Sequence, residues 1–188
     1  METKYLALLR HRLSEKTCLH SLGVGRIARE LAEARGLSGE KGFTAGILHD
    51  YARELGEASL LKEAERRRLP VDRIVKVQPV LLHGPVGAEL VREDLGIRDP
   101  EVLEAIRCHT CGGEGIGPLA RIVYAADIIE PSRDFPGVEE LRRQVREDFR
   151  QGLIRVVEST MNYVLRQRYL LHPDTLLFWN ELMQEEKK

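Results

Sequence analysis

Apolar residues recur at steps of three and four along most of the chain, and windows of strict alternation long enough for a strand are hard to find, so the pattern predicts an all-α protein. Ser14 stands where an N-cap is expected for a helix running to about Arg35 and stopped by Gly36, with Val24, Ile27 and Leu31 on one face. A short helix is predicted from Glu40 to Asp50, followed by charged amphipathic stretches around Glu57 to Arg68 and Val71 to Val77, the latter ended by Pro79. Gly84-Pro85 opens a helix to about Leu95, Asp99-Pro100 opens another that fades at Gly112-Gly113, and Pro118 begins one that reaches Glu130. At these starts the missing proline N–H costs little. Pro131 and Pro136 mark a loop, Val138 to about Arg168 reads as one long helix, and a last helix near Asp174 to Gln184 holds Trp179. The 188 residues suit one domain, with a core from about 13 to 130 and C-terminal helices from about 138 to 184 packing on it. No internal repeat, low-complexity stretch or glycine/serine-rich linker divides it.

Composition narrows the class. At 43% hydrophobic and 31% charged residues, the chain can close a core, which argues against disorder and against a membrane protein. Twenty-nine Lys and Arg balance 30 Asp and Glu, so there is no overall basic field to hold a nucleic-acid polymer. The triplet Arg66, Arg67, Arg68 reads as a solvated helix face, and the five Tyr and four Phe form no clustered stacking platform. The N-terminal METKYLALLRHRLSEK carries charge throughout, so neither a signal peptide nor a membrane span is readable and a cytoplasmic location is expected. Three cysteines, an odd and sparse set, fit reduced thiols.

The histidines carry the chemistry. His20 shares the helical face of Val24, Ile27 and Leu31, and His109 follows Val102, Ala105 and Ile106 in the same way. His83 ends the apolar run VLLH, and His49-Asp50 ends FTAGILHD, in which no charge occurs from Phe43 through Leu48. Asp127 follows Leu119, Val123 and Ala126 within RIVYAADII. A lone histidine on an apolar face is usually a hydrogen-bonded core residue, but four histidines with two aspartates make that reading weak. An unpaired interior carboxylate costs several kcal/mol or shifts its pKa, and the apolar runs offer Asp50 and Asp127 no adjacent basic residue. A divalent cation satisfies both. Imidazole with carboxylate suits zinc, iron, manganese or nickel, and six ligands exceed one tetrahedral site.

The order His20, then adjacent His49-Asp50, then Asp127 resembles the signature of HD-domain metal-dependent phosphohydrolases, with His83 and His109 like the extra pair of binuclear members. More narrowly, HSLGVGRIARELA, AGILHDYAR, LLHGPVGAELV, the stretch from AIRCHTCGG through IIEPSRDFPGVEELR, and YLLHPDT resemble the YqeK-type bacterial HD hydrolases, from about Leu13 to Thr175. The resemblance implies a single HD-type helical bundle with a buried binuclear metal site. It also implies symmetric hydrolysis of diadenosine tetraphosphate to two ADP at a centre of two divalent ions, iron foremost, with manganese or zinc as alternatives. His20, His49, Asp50 and Asp127 would hold one ion and Asp50 would bridge to a second on His83 and His109, giving His49, Asp50 and Asp127 the catalytic roles. A bridging hydroxide would be the nucleophile.

Arg26, Arg53 and Arg133 lie beside these blocks and are candidates for phosphate contacts, since a guanidinium can engage two oxygens. Arg53 stands where many HD proteins have lysine. Thr110 and the Gly112-Gly113 turn offer a hydroxyl and backbone N–H groups, although the turn also reads as a simple helix end.

Competing readings keep the ligands but change the outcome. An HD-type enzyme could act on a mononucleotide, an alarmone or a cyclic dinucleotide, or a di-iron pair could activate dioxygen. Alternatively Cys18, Cys108 and Cys111 with His20 could form a noncatalytic zinc scaffold, although the C-x-x-C at 108–111 has no second half. The expected partner is a small nucleotide, with no polymer and no membrane. A homodimer is compatible with the sequence, which shows no interface.

Overall fold

The computed structural model describes residues 2–186. Eleven α-helices and one 3-10 turn make up their regular structure, with no strand among the described residues. They are α1 (Glu2–Leu9), α2 (Glu15–Glu33), α3 (Gly39–Leu48), α4 (Glu57–Arg66), α5 (Arg73–Val77), the 3-10 turn Pro79–Leu82, α6 (His83–Leu95), α7 (Pro100–Cys108), α8 (Pro118–Ile129), α9 (Val138–Glu147), α10 (Phe149–Arg166) and α11 (Pro173–Glu186).

The helix starts follow the chemistry of their first residues. Ser14, Ser38 and Asp99 sit in extended backbone and accept from N–H groups of the first turn, satisfying donors that have no partner within the helix. Pro100 and Pro118 occupy first helical positions. The apolar faces meet as the spacing implies. Val24, Ile27 and Leu31 of α2, Ala105 and Ile106 of α7, and Val123 and Ala126 of α8 are all buried in one core with Phe43 and Ile47 of α3. Tyr124 and Phe178 stack edge to face with ring centroids 5.3 Å apart, joining α11 to α8.

The expected single helix from Val138 to Arg168 is instead two helices. Asp148 adopts φ −140° and ψ 99°, closes α9 through its N–H to Gln144 O, and caps α10 by accepting from Gln151 N. The apolar stripe misled the sequence reading because Val145, Phe149 and Leu153 keep helical spacing across the break and all pack inward. Gly152 lets the α10 backbone fold against α9, where a Cβ would stand 2.4 Å from the Val145 backbone. The chain before Ser14 also forms α1, which the sequence reading had not assigned, and buries Leu9.

The packing of α2 on α3 is the contact that positions the site, since α2 carries His20 and α3 ends at His49. Small residues let the two backbones approach. A Cβ on Gly46 would lie 2.8 Å from Gly25 Cα and 2.9 Å from Val24 O, and one on Gly42 would lie 2.6 Å from Ala28 O. These obstacles are backbone atoms, so the helices themselves would have to move. Gly46→Ala is therefore expected to destabilise the protein by about 1–3 kcal/mol, the range for overpacking a tight core, read as a lowered denaturant midpoint. An unchanged midpoint would show that the crossing tolerates a wider gap.

Candidate metal centre

Three of the four site histidines sit at helix ends. His49 caps α3, His109 caps α7, and His83 follows the 3-10 turn to begin α6. The last carbonyls of a helix lack intrahelical donors, and the His49 and His109 rings each use one, while the His83 ring bonds Val80 O, which also accepts the His83 backbone N–H. The Nδ1 of His49 donates to Gly46 O at 2.7 Å, that of His83 to Val80 O at 2.5 Å and that of His109 to Ile106 O at 2.7 Å. With the Nδ1 proton committed, Nε2 keeps its lone pair and becomes the ligating atom. His20 lies inside α2 and its Nδ1 is 3.0 Å from Glu130 Oε1.

The Nε2 atoms converge in two pairs, His20 with His49 at 3.3 Å and His83 with His109 at 2.9 Å. Asp50 stands between the pairs. Its Oδ1 is 3.1 Å from His83 Nε2 and 3.6 Å from His109 Nε2, while its Oδ2 is 3.4 Å from His49 Nε2 and 3.8 Å from His20 Nε2. Asp127 Oδ1 is 3.0 Å from His20 Nε2 and 3.8 Å from His49 Nε2. His20, His49 and Asp50 form one group able to hold a metal ion, and Asp50, His83 and His109 form another. All six residues expected as ligands are thus brought together.

The donor chemistry fits cations. Two ring nitrogens 2.9 Å apart, each with its proton placed elsewhere, repel unless positive charge lies between them. A proton is a poor occupant at His83, because burial pushes its pKa down. Burial opposes charge on Asp50 as well, yet His49 and the bonds from His109 and His83 hold its carboxyl well below the ordinary range. Asp127 is half-buried, and although desolvation works against its charge, His20 and Arg133 hold it low. At His20 burial works against protonation, but the bonds to Asp127 and Glu130 outweigh it and push the ring up to about 9. To ligate a cation, His20 Nε2 would have to give up that proton.

The other expected contacts divide. Arg133 donates from Nε to Asp127 O at 2.8 Å and from Nη2 to Asp127 Oδ1, so it grips a ligand from two sides. Arg53 Nη1 is 3.4 Å from His83 Nδ1, and Thr110 Oγ1 is 3.4 Å from His109 Nε2. Arg26 is not brought to the cluster. Its exposed guanidinium pairs with Glu2 of α1 at 2.6 Å, because position 26 falls on the outer face of α2. In the glycine turn, the Gly112 N–H donates to Cys108 O, and a Cβ there would stand 2.4 Å from Phe178, so Gly112 ends α7 and makes room for α11. The scaffold reading loses its ligands. Neither metal-holding group contains a cysteine, Cys18 Sγ donates to Leu13 O, and burial pushes Cys108 to about 11 and Cys111 to about 12.

The sequence reading missed Glu130, Ser132 and Arg142. Glu130 is buried, and it accepts from Ser132 N at 2.8 Å and from Ser132 Oγ. Arg142 of α9 donates to Ile129 O, Glu130 O and Arg133 O at 2.7–2.8 Å, fixing the loop that follows Asp127. The signal for Glu130 was present, since a carboxylate closing the apolar run RIVYAADII is the same anomaly that singles out Asp127.

A helical bundle with paired histidine and aspartate ligands on successive helices is the arrangement of HD domains, and the chain belongs to the HD-domain family, which it matches over residues 18–132. Within that family it is 38% identical over 178 residues to the symmetrical bis(5'-nucleosyl)-tetraphosphatase of Bacillus subtilis, covering 95% of both chains. It is also 38% identical over 184 residues to the protein of the same name from Halalkalibacterium halodurans, covering 98% of both. These relatives bear out the resemblance to YqeK-type hydrolases carried by the sequence motifs. A crystal structure of a predicted HD superfamily hydrolase involved in NAD metabolism from Clostridium acetobutylicum superposes with a TM-score of 0.93 at 34% identity over 98% of each chain.

Because Asp50 alone belongs to both groups, Asp50→Ala is expected to abolish metal retention altogether, whereas His83→Ala should leave the His20 group able to hold its ion. Metal analysis of the purified variants checks this, and full metal content in Asp50→Ala would contradict it.

Proposed function

We propose that this HD-domain hydrolase cleaves dinucleoside tetraphosphates symmetrically, diadenosine tetraphosphate to two ADP, at a centre of two divalent ions, with iron as the native metal and a cytoplasmic location. The single observation that carries the reading is the sharing of Asp50 between two histidine pairs, one carboxylate oxygen toward each. The names of the relatives supply the substrate. Manganese or zinc suits the same donors. No helix among the described residues is long and apolar enough to cross a membrane.

When bound, such ions acidify water and draw charge from phosphoryl oxygens. His20, His49, Asp50 and Asp127 would hold one, and Asp50, His83 and His109 the other. The protein's own groups supply the rest. Arg133 and Arg53 add fixed positive charge beside the ligands, suited to a chain of four phosphates. Burial costs the Arg133 cation something, but Asp127 and Glu130 hold its pKa up, so it stays charged. The Thr110 hydroxyl, beside His109, can donate to a phosphate oxygen. A cavity of about 520 Å³, lined by Pro131, Arg133, Phe135 and Gly137 among others, opens next to Arg133. We take this open depression as the seat of one nucleoside. Symmetric cleavage requires register, so that the β-phosphorus of one arm, rather than its α or γ, meets the nucleophile. A nucleoside seated at a fixed distance from the ligands would set that register.

Chromatography of the products from diadenosine tetraphosphate, with metal content measured in the same preparation, tests the proposal. ADP alone is expected. AMP with ATP would contradict the register, and no turnover by metal-loaded protein would overturn the substrate. Arg133→Ala is expected to raise KM by roughly tenfold or more, the scale of a lost hydrogen bond to a charged group, with metal content near wild type. Loss of metal with unchanged KM would instead confine Arg133 to holding Asp127.

A further inference from the structure

We propose that Glu130 is a positioning residue of the metal centre, a buried carboxylate that fixes the His20 ring with Nε2 toward Asp50 and Asp127 and tightens the hold on the cation bound there. The proposal rests on the binuclear reading above but not on the identity of the substrate.

His20 differs from the other site histidines in where it sits. Its three counterparts lie at helix ends and donate Nδ1–H to a backbone carbonyl three residues earlier. His20 is the sixth residue of the nineteen-residue α2, where carbonyls are committed to the helical ladder. Its Nδ1 proton therefore needs an acceptor from another element, and Glu130, at the end of α8, supplies one at 3.0 Å. The result is an asymmetry in charge. His49, His83 and His109 are backed by neutral carbonyls, whereas His20 is backed by a carboxylate, which makes its ring the more basic ligand of the four.

Glu130 is itself built into place. Its side chain is 1% exposed, and both oxygens are used. Oε1 takes His20 Nδ1 and Ser132 Oγ, while Oε2 takes Ser132 N at 2.8 Å. Gly23, one turn along α2 from His20, provides the space. A Cβ there would lie 2.5 Å from Glu130 Oε2. Arg142 fixes the Glu130 backbone by donating to its carbonyl. A surface carboxylate meeting a histidine by chance has none of these supports.

A substitution cycle separates positioning from general stability. Metal-free protein is titrated with Mn2+, and the free ion is followed by electron paramagnetic resonance. The His83→Ala background isolates the His20 group, and the His20→Ala background isolates the His83 and His109 pair. Glu130→Gln retains the side-chain shape but removes the charge and turns one acceptor into a donor facing the Ser132 N–H. In the His83→Ala background it is expected to raise the Mn2+ dissociation constant about 10- to 100-fold, the usual effect of losing a partner behind a ligand. In the His20→Ala background it should change nothing. Ser132→Ala, which removes only a hydroxyl, should weaken binding in the same background by a smaller factor, and it decides the matter if Glu130→Gln does not fold. Unchanged affinity in the His83→Ala background, or equal weakening in both, would overturn the proposal. Wild-type protein that takes up no Mn2+ would overturn the metal reading itself, a distinguishable result.

Discussion

Two imidazole nitrogens bearing lone pairs, such as those of His83 and His109 at 2.9 Å, cannot be held within hydrogen-bond distance of each other in a dry interior unless positive charge is supplied between them. That constraint governs this molecule. His49, His83 and His109 are buried, Asp50 is buried with them, and the second acidic residue, Asp127, adds a further negative charge. The fold assembles a place able to hold cations in exchange for the solvent that these groups have given up. The remaining helices keep the groups from relaxing apart. The close α2–α3 crossing brings His20 to His49, and α6 and α7 bring His83 and His109 against the other side of Asp50.

Helix termini do much of this work. A helix end leaves carbonyls without donors, which is ordinarily a problem to be solved by capping. Here the unsatisfied carbonyls orient ligands. Gly46 O and Ile106 O each fix a ring by the hydrogen bond they would otherwise lack, and Val80 O holds the His83 ring beside the bond it takes from the His83 backbone N–H. The same backbone feature thus settles the helix end and selects the tautomer that leaves Nε2 free. Gly46 serves twice, since its missing side chain admits α2 and its carbonyl holds His49.

Much of this was legible in the sequence because burial and charge conflict openly there. His20, His49, Asp50, His83, His109 and Asp127 each interrupt or end an apolar pattern, and each is found in the cluster. Arg26 was misplaced because nearness in sequence to His20 says little about which way a helical residue faces, and its side chain is 60% exposed. The break at Asp148 was hidden because apolar spacing carries across it, and only the backbone angles reveal that one stripe serves two helices. Glu130 closes the apolar run RIVYAADII and so stands out locally, but its pairing with His20 is not legible, because the two lie 110 positions apart.

Arg142 anchors the 129–133 segment through three backbone carbonyls, with no side chain of that segment as acceptor. An anchor of this kind is indifferent to sequence. Side chains along the neighbouring cavity rim, such as Pro131 and Phe135, can be exchanged while the peptide groups still present the same carbonyls, so the tether behind Asp127 survives. The tether therefore constrains the backbone behind Asp127 while placing no demand on which side chains line the rim beside it.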